Sequence, residues 1–288
     1  MDPFPLPDAG RAVVAVEPPG AGPGYWAGCS SAVLDDDGSY VLAYRVRLGP
    51  VGRGSTIVAR SRDGERYTEV ARLDREAFGS ASMERPAIVR TVEGLWRLYA
   101  CCATHAPSKH WWIDLLEADD PAGFTPERRR TVFAGDGRVG VKDPIVQRLG
   151  DGWQAWICCH PLDEPGEEDR MTTAYSTSAD GIAWSPLEPA MTPRPGRWDS
   201  RGTRVTVVLP DGRAAYDGRA TKEENFFERT GLASRVGEGA HLEPVGDAPV
   251  ADVRYLDVLP LPRGGYRIWY EARLPDESHE LRTELVHV

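Results

Sequence analysis

The sequence predicts an all-β fold, a five-bladed β-propeller in which an N-terminal strand joins the last blade and closes the ring. The main evidence is a unit of two short apolar runs around a turn, which recurs five times along the chain. The valines that mark the first run of each unit are Val33, Val89, Val146, Val207 and Val258. They lie 56, 57, 61 and 51 residues apart, which is room for the four short strands of a propeller blade.

The third unit, residues 141–160, shows the pattern most clearly. It opens with Lys142-Asp143-Pro144, and a proline at the start of a strand removes no hydrogen bond from the interior of the ladder. A Gly-Asp-Gly turn at 150–152 separates its two apolar runs, which is typical of a β-hairpin. Each unit is therefore expected to begin with an antiparallel pair of strands.

Two further features favour blades. A Ser-x-Asp-Gly turn follows the third predicted strand at residues 61–64 and 178–181, and it resembles the Asp-box turn of sialidase-type propellers, a structural motif. The last unit has only three strands before the C-terminus, while residues 13–18 resemble the fourth strands of other units. We therefore expect the N-terminal segment to supply the missing strand, because a closed ring leaves no sheet edge exposed.

Length and composition are consistent with one domain over residues 1–288. The chain is 41% hydrophobic, and its 30 glycines and 24 prolines suit many tight turns. Trp153, Trp156 and Trp269 are expected to pack between blades. An ordinary β-sandwich is the alternative that the pattern leaves open.

Charge and cysteine content restrict the partners. A net charge of −10 argues against nucleic acid, and no apolar run is long enough to span a membrane. The N-terminus lacks the features of a secretion signal, and five cysteines with two adjacent pairs indicate reduced thiols. We expect a cytoplasmic monomer or homodimer without nucleic-acid or membrane partners.

Hairpin geometry predicts where functional side chains meet. The start of the first strand lies beside the end of the second in an antiparallel hairpin, so these residues converge at one end of the channel, here called the mouth. The residues before the first strands are Glu84, Arg85, Lys142, Asp143, Arg204, Arg254 and Tyr255. Those after the second strands are Arg45, Arg47, His105, His160, Arg219, Glu271 and Arg273.

This distribution predicts a small-molecule substrate at the mouth. Clustered cations focus the electric field and attract anions, and arginine offers a planar fork for carboxylate or phosphate. The substrate would be anionic or polyhydroxylated. The alternative is that the arginines pair with carboxylates of the protein itself. The hairpin turns lie at the opposite end of the channel, here called the turn end, which is expected to be polar and without function.

A family resemblance rests on these residues. Five units with Lys142-Asp143-Pro144 and Glu84-Arg85-Pro86 at strand starts resemble the five-bladed propeller glycoside hydrolases of the arabinanase, β-xylosidase and invertase type, with the related mannoside phosphorylases. The resemblance implies carboxylates at the mouth that act as base or nucleophile and as acid. By position these are Asp143 and Glu84, and the distance between the two carboxyl groups would predict the stereochemical outcome.

One departure from that family is clear. The first unit begins Cys29-Ser30-Ser31, where those hydrolases place an aspartate. Asp217 or Glu271 is a candidate replacement from another blade. The incomplete set leaves three hypotheses open: a glycoside hydrolase-like enzyme, a biosynthetic lyase, cyclase or isomerase, and a propeller that binds a sugar or anion without catalysis.

Histidine chemistry is the last candidate. His105 and His160 follow comparable strands in neighbouring units, and imidazole exchanges protons near neutral pH. Their spacing does not indicate a metal site, and we expect neither a metal nor a cofactor. Trp111 and Trp112 could form a wall on which a substrate ring stacks.

Overall fold

The structure, a computed structural model, describes residues 3–49, 52–104, 110–237 and 239–287. Regular structure in these ranges is almost entirely β-strand, and helix is limited to short 3-10 turns at Arg75–Phe78, Pro121–Gly123 and Pro126–Arg128. Across the same ranges, no helix has the length and apolar character needed to cross a bilayer. The prediction of an all-β fold is confirmed.

The strands group into five antiparallel units of one plan. The first comprises β2 (Tyr25–Leu34), β3 (Tyr40–Leu48), β4 (Gly52–Ser61) and β5 (Thr68–Asp74). The second comprises β6 (Ser82–Met83), β7 (Ala87–Arg90), β8 (Trp96–Ala103), β9 (Trp111–Ala118) and β10 (Arg130–Phe133). The third comprises β11 (Val139–Leu149), β12 (Gly152–Pro161), β13 (Thr172–Ser178) and β14 (Glu188–Met191). The fourth comprises β15 (Gly202–Val208), β16 (Arg213–Arg219), β17 (Arg229–Arg235) and β18 (Leu242–Val245). The fifth comprises β19 (Arg254–Pro260), β20 (Tyr266–Arg273), β21 (His279–Val286) and β1 (Val13–Val16).

The units close into a propeller ring. The first strands contact one another in the order β2, β7, β11, β15 and β19, and β19 returns to β2. Strand β1 pairs antiparallel with β21, with Val13 opposite Thr283. A single parallel pairing of Trp26 with His279 also links the first and fifth units. The predicted closure by the N-terminal strand is confirmed.

The apolar core lies between neighbouring units. Trp153 of the third unit packs with Tyr99 of the second in one buried cluster, and Trp156 packs with Tyr216 of the fourth in another. Trp269 of the fifth unit is wholly buried in a cluster with strands of the first. The prediction that these tryptophans pack between blades is confirmed.

The Ser-x-Asp-Gly turns are structural, as predicted. The Gly64 N–H donates to Ser61 Oγ at 2.8 Å, and Asp63 Oδ1 accepts from the Glu65 N–H at 2.9 Å. The turn at 178–181 repeats this pattern, with the Gly181 N–H donating to Ser178 Oγ at 2.8 Å. Each side chain replaces a backbone partner, so the turn holds the third strand of its blade against the fourth.

Candidate active site at the channel mouth

The first strands of three units carry a β-bulge where they enter the channel. Their register against the second strand shifts between Gly28 and Ser31, between Lys142 and Ile145, and between Arg254 and Asp257. The bulged residues Cys29, Asp143 and Tyr255 have φ angles of 58°, 50° and 52°. Left-handed backbone is uncommon outside glycine, and a bulge re-aims the side chain that it carries. These three residues therefore hold equivalent positions.

Asp143 lies in one group of paired charges at the mouth. Its Oδ2 accepts hydrogen bonds from Arg204 at 3.2 Å and from the Tyr255 hydroxyl at 3.3 Å. Lys142 Nζ is 3.6 Å from the same oxygen. Arg204 also donates to Asp217 at 2.6 Å. The Arg204 guanidinium thus links carboxylates of the third and fourth units. Burial raises the pKa of Asp217, although the charge of Arg204 acts in the opposite direction.

A second group runs from the second unit to the fifth. Arg45 pairs with Glu84 through Nη1 and donates from Nη2 to Glu271 at 2.9 Å. Arg254 lies 2.7 Å from Glu271 Oε1 and 2.7 Å from Glu228 Oε2. Burial opposes ionisation, but the neighbouring arginines outweigh it and lower the pKa of Glu84 and of Glu228 to about 2. The pKa of Glu271 is lowered for the same reason.

Two further residues of the network, Glu228 and His279, are not indicated by the sequence pattern. Glu228 pairs with Arg219, and His279 Nδ1 lies 2.6 Å from Glu271 Oε1. His279 is the first residue of β21 and pairs with Arg273 at the end of β20. Because the start of one antiparallel strand lies beside the end of the previous one, His279 also lies at the mouth. Glu228 belongs to the loop between β16 and β17, and no strand pattern in the sequence marks it.

The two groups of paired charges at the mouth contain equal numbers of buried carboxylates and buried cations. The buried carboxylates of the two groups are Glu84, Asp143, Asp217, Glu228 and Glu271. The buried cations that pair with them are Arg45, Lys142, Arg204, Arg219 and Arg254. The expected excess of positive charge is therefore largely cancelled within the protein. Internal pairing, which the sequence left open as an alternative, describes these arginines.

Accessibility separates the carboxylates. The Glu84 side chain is 10% exposed, whereas those of Asp143, Asp217 and Glu271 are completely buried. Lys142 is 8% exposed, and its Nζ lies 4.5 Å from the centre of the Trp111 ring. Glu84 and Lys142 are thus the least buried charged groups of this network.

Aromatic rings cover one side of the mouth. Phe226, from the loop after β16, packs on Trp26 with ring centres 4.9 Å apart, and the Arg47 guanidinium lies 4.5 Å from the Trp26 ring centre. Phe226 is 37% exposed and has a φ of 77°, a rare conformation for a bulky residue. The sequence pattern does not indicate this pair, because Trp26 lies before the repeated apolar run of the first unit and Phe226 lies in a loop.

The other predicted residues are spread more widely. Arg273 lies further out, 3.2 Å from Asp252 and beside the Phe227 ring. His160 is half-buried in β12, and the prediction for His105 lies outside the described residues. Cys29 is buried with its Sγ 3.4 Å from Glu271, and burial raises the pKa of its thiol. Within the described ranges, no group of three or more His, Cys, Asp or Glu residues is arranged to hold a metal ion.

Arg85 requires a correction, because its side chain does not face the mouth. Its guanidinium extends into the channel, where Nε donates to Ser30 O at 3.1 Å and Nη1 to Thr206 O at 2.7 Å. Only its backbone N–H faces Asp143, at 3.2 Å from Oδ1. Glu84 and Arg85 lie in the short link between β6 and β7, outside regular strand, and their side chains point in different directions.

No family model and no curated protein sequence matches the chain. Several solved structures are similar to the chain in fold. The β-1,2-mannobiose phosphorylase of Listeria innocua is similar with a TM-score of 0.65 and 14% identity, over 95% of this chain and 94% of that one.

Two further structures have related activities in their names. An α-L-arabinanase of Penicillium chrysogenum is similar with a TM-score of 0.66 and 13% identity, over 96% of this chain and 98% of that one. A sucrose-6-phosphate hydrolase of Lactobacillus gasseri is similar with a TM-score of 0.69 and 12% identity, over 96% of this chain and 61% of that one. The chain therefore has the fold of the five-bladed propeller glycoside hydrolases.

Proposed function

We propose that this chain binds a small, polyhydroxylated carbohydrate at the mouth and acts on its glycosidic bond. The observation that carries the proposal is Glu84, the accessible carboxylate of the buried network. Its low pKa keeps it ionised at neutral pH, as a carboxylate nucleophile requires. The fold is also shared with proteins whose names state glycoside-hydrolase and phosphorylase activities.

Each neighbouring group has a proposed role. Lys142 donates hydrogen bonds to substrate hydroxyls beside the Trp111 ring, on which a sugar can stack. His160 lies two residues beyond Cys158, which pairs in register with Lys142, so its ring is on the face of β12 that meets the network. We assign His160 the role of proton donor, and His105 remains a further candidate.

Asp143 is proposed to act through its neighbours. It is completely buried, so it positions Lys142 and the backbone of Arg85, the residue after Glu84. The arginines Arg45, Arg204, Arg219 and Arg254, together with Tyr255 and Glu271, are proposed to support the site rather than contact substrate. Because their charges are balanced, a neutral sugar fits this mouth better than an anion.

A second candidate is carbohydrate binding, or a non-hydrolytic reaction, at the same mouth. The observation that favours it is Cys29. It holds the bulge position in the first unit that Asp143 holds in the third, and the raised pKa of its thiol keeps it neutral. Among the described residues the mouth then has one carboxylate that is not fully enclosed, Glu84, whereas glycosidic cleavage by two carboxyl groups needs a pair.

A panel of aryl glycosides separates these candidates. We expect Glu84→Gln to lower kcat/KM by about 10² to 10⁴ while sugar binding measured by calorimetry is retained. Glu76→Gln, on a side chain that is 68% exposed, is the matched control. Saturable sugar binding without turnover, weakened by Lys142→Met, would select the second candidate. No turnover and no binding of any sugar would refute both.

A further inference from the structure

Arg85 divides the central channel into two compartments. Its guanidinium is 3% exposed and contacts backbone carbonyl groups of the first and fourth units, Ser30 O and Thr206 O. Its Nη2 is 3.6 Å from Asp257 Oδ1 in the fifth unit. The backbone of the same residue meets Asp143 of the third unit. Arg85 therefore contacts all four other units and closes the channel below the mouth.

A cavity of about 660 Å³ lies beyond Arg85, on the side of the turn end. The valines that mark the repeat line it, one from each unit, and these are Val33, Val89, Val146, Val207 and Val258. The turn end, which is expected to be polar and without function, therefore contains a cavity lined by both polar and apolar side chains. The volume is within the range of ordinary small-molecule sites.

The closed end of the cavity offers a hydrogen-bond acceptor. Asp257 lines the cavity beside Arg85, and its Oδ2 is buried without a hydrogen-bond partner among the described residues. A buried oxygen in that state is costly, and a donor from a ligand would relieve the cost. A second carboxylate would be repelled there by Asp257. The closed end therefore favours a hydroxyl group over an acid.

The open end carries cations. Arg148 and Arg235 line the cavity, and in the described part of the chain neither has a carboxylate within 4.0 Å, in contrast to Arg90, which pairs with Asp36. The distance between the two ends is set by the strands. Leu34, near the turn, is three residue steps along the strand from Ser31 at the closed end, a distance of about 10 Å.

We propose that this cavity is a second binding site, for a ligand with an apolar stem, a hydroxyl group at one end and a carboxylate at the other. The hydroxyl donates to Asp257, the stem lies along the valines, and the carboxylate meets Arg148 and Arg235. The site is independent of the proposed reaction at the mouth, because Arg85 separates the two.

Calorimetric titration with ω-hydroxyoctanoate tests the site, with octanoate and 1-octanol as probes that each lack one polar end. We expect saturable binding of ω-hydroxyoctanoate. Octanoate should bind about tenfold more weakly, because it leaves Asp257 Oδ2 unpaired. The double variant Arg148→Gln/Arg235→Gln should bind ω-hydroxyoctanoate and octanoate severalfold more weakly, and its affinity for 1-octanol should be unchanged.

Filling the cavity provides the decisive control. Val146→Phe should abolish binding of all three probes, and Val207→Phe in another unit repeats the test if the first variant does not fold. Glu84→Gln, which alters only the mouth, should bind ω-hydroxyoctanoate like the wild type. Absence of saturable binding, or binding that survives both phenylalanine variants, would overturn the proposal. So would equal affinity for ω-hydroxyoctanoate and octanoate.

Discussion

The two ends of the channel are built from the same five strands and differ in what fills them. At the mouth, five carboxylates and five long cations occupy the space and bury one another. At the turn end, one valine from each unit leaves a cavity of about 660 Å³. Valine is too short to reach the axis of the ring, whereas arginine is long enough to cross it. Side-chain length therefore decides which end of this scaffold is open.

The difference has an energetic side. Ions removed from water lose hydration, and their mutual attraction repays this only when the geometry is good. Loss of one charged partner at the filled mouth, or addition of an atom there, should therefore lower the free energy of unfolding. The valine-lined end carries no such network and should tolerate changes in volume.

Removal of Arg85 should have the largest effect on the free energy of unfolding, because the Arg85 side chain separates the two compartments and contacts several units. Arg85→Met leaves the Ser30 and Thr206 carbonyl groups and Asp257 without a buried cation, and we expect the free energy of unfolding to fall by about 3–5 kcal/mol. Urea denaturation measures it. Arg62→Met is the control, because Arg62 is 76% exposed and its pair with Asp37 should contribute less than about 1 kcal/mol. Equal losses in the two variants would show that Arg85 does not hold the units together.

Added side-chain volume should destabilise the mouth more than the turn end. A Cβ at Gly28 would lie 2.1 Å from Glu271 Oε2, and Glu271 is held by Arg45, Arg254 and His279. We expect Gly28→Ala to lower the free energy of unfolding by about 2–3 kcal/mol. Val146→Phe adds far more volume at the turn end, but the ring enters a cavity, and we expect a loss below about 1 kcal/mol. If Gly28→Ala is neutral, the mouth is less tightly filled than the contacts indicate.

The sequence predicts the positions of the mouth residues well, because strand periodicity and hairpin geometry determine them. Asp143, Glu84, Lys142 and Arg204 do meet there. It does not predict their pairing, which depends on the direction in which each bulge aims its side chain. Arg85 illustrates the limit, since one residue beyond Glu84 it faces the other compartment. The valines show the converse, because their spacing reveals the repeat but not the space that they leave.

The pH dependence of stability should have opposite signs at the two ends. Glu84 has a folded pKa of about 2, below its unfolded value, so its contribution is complete above about pH 5 and is lost as pH falls towards 2. Burial raises the pKa of Asp257 to about 6 against the charge of Arg85 and the N–H groups of Ala32 and Val258. Its protonated form favours the folded state, so that contribution is complete below about pH 4 and is lost as pH rises through 6.

Two variants isolate these contributions. Between pH 4 and 7, the stability of Asp257→Asn relative to the wild type should rise by about 2 kcal/mol, because the variant has no carboxyl group to ionise. Glu84→Gln should show a nearly constant deficit above pH 5 that shrinks below it. Urea denaturation at unit steps of pH measures both. Parallel curves for the two variants would mean that Arg85 holds Asp257 ionised as the cations of the mouth hold Glu84, and the expected difference in sign between the two ends would not exist.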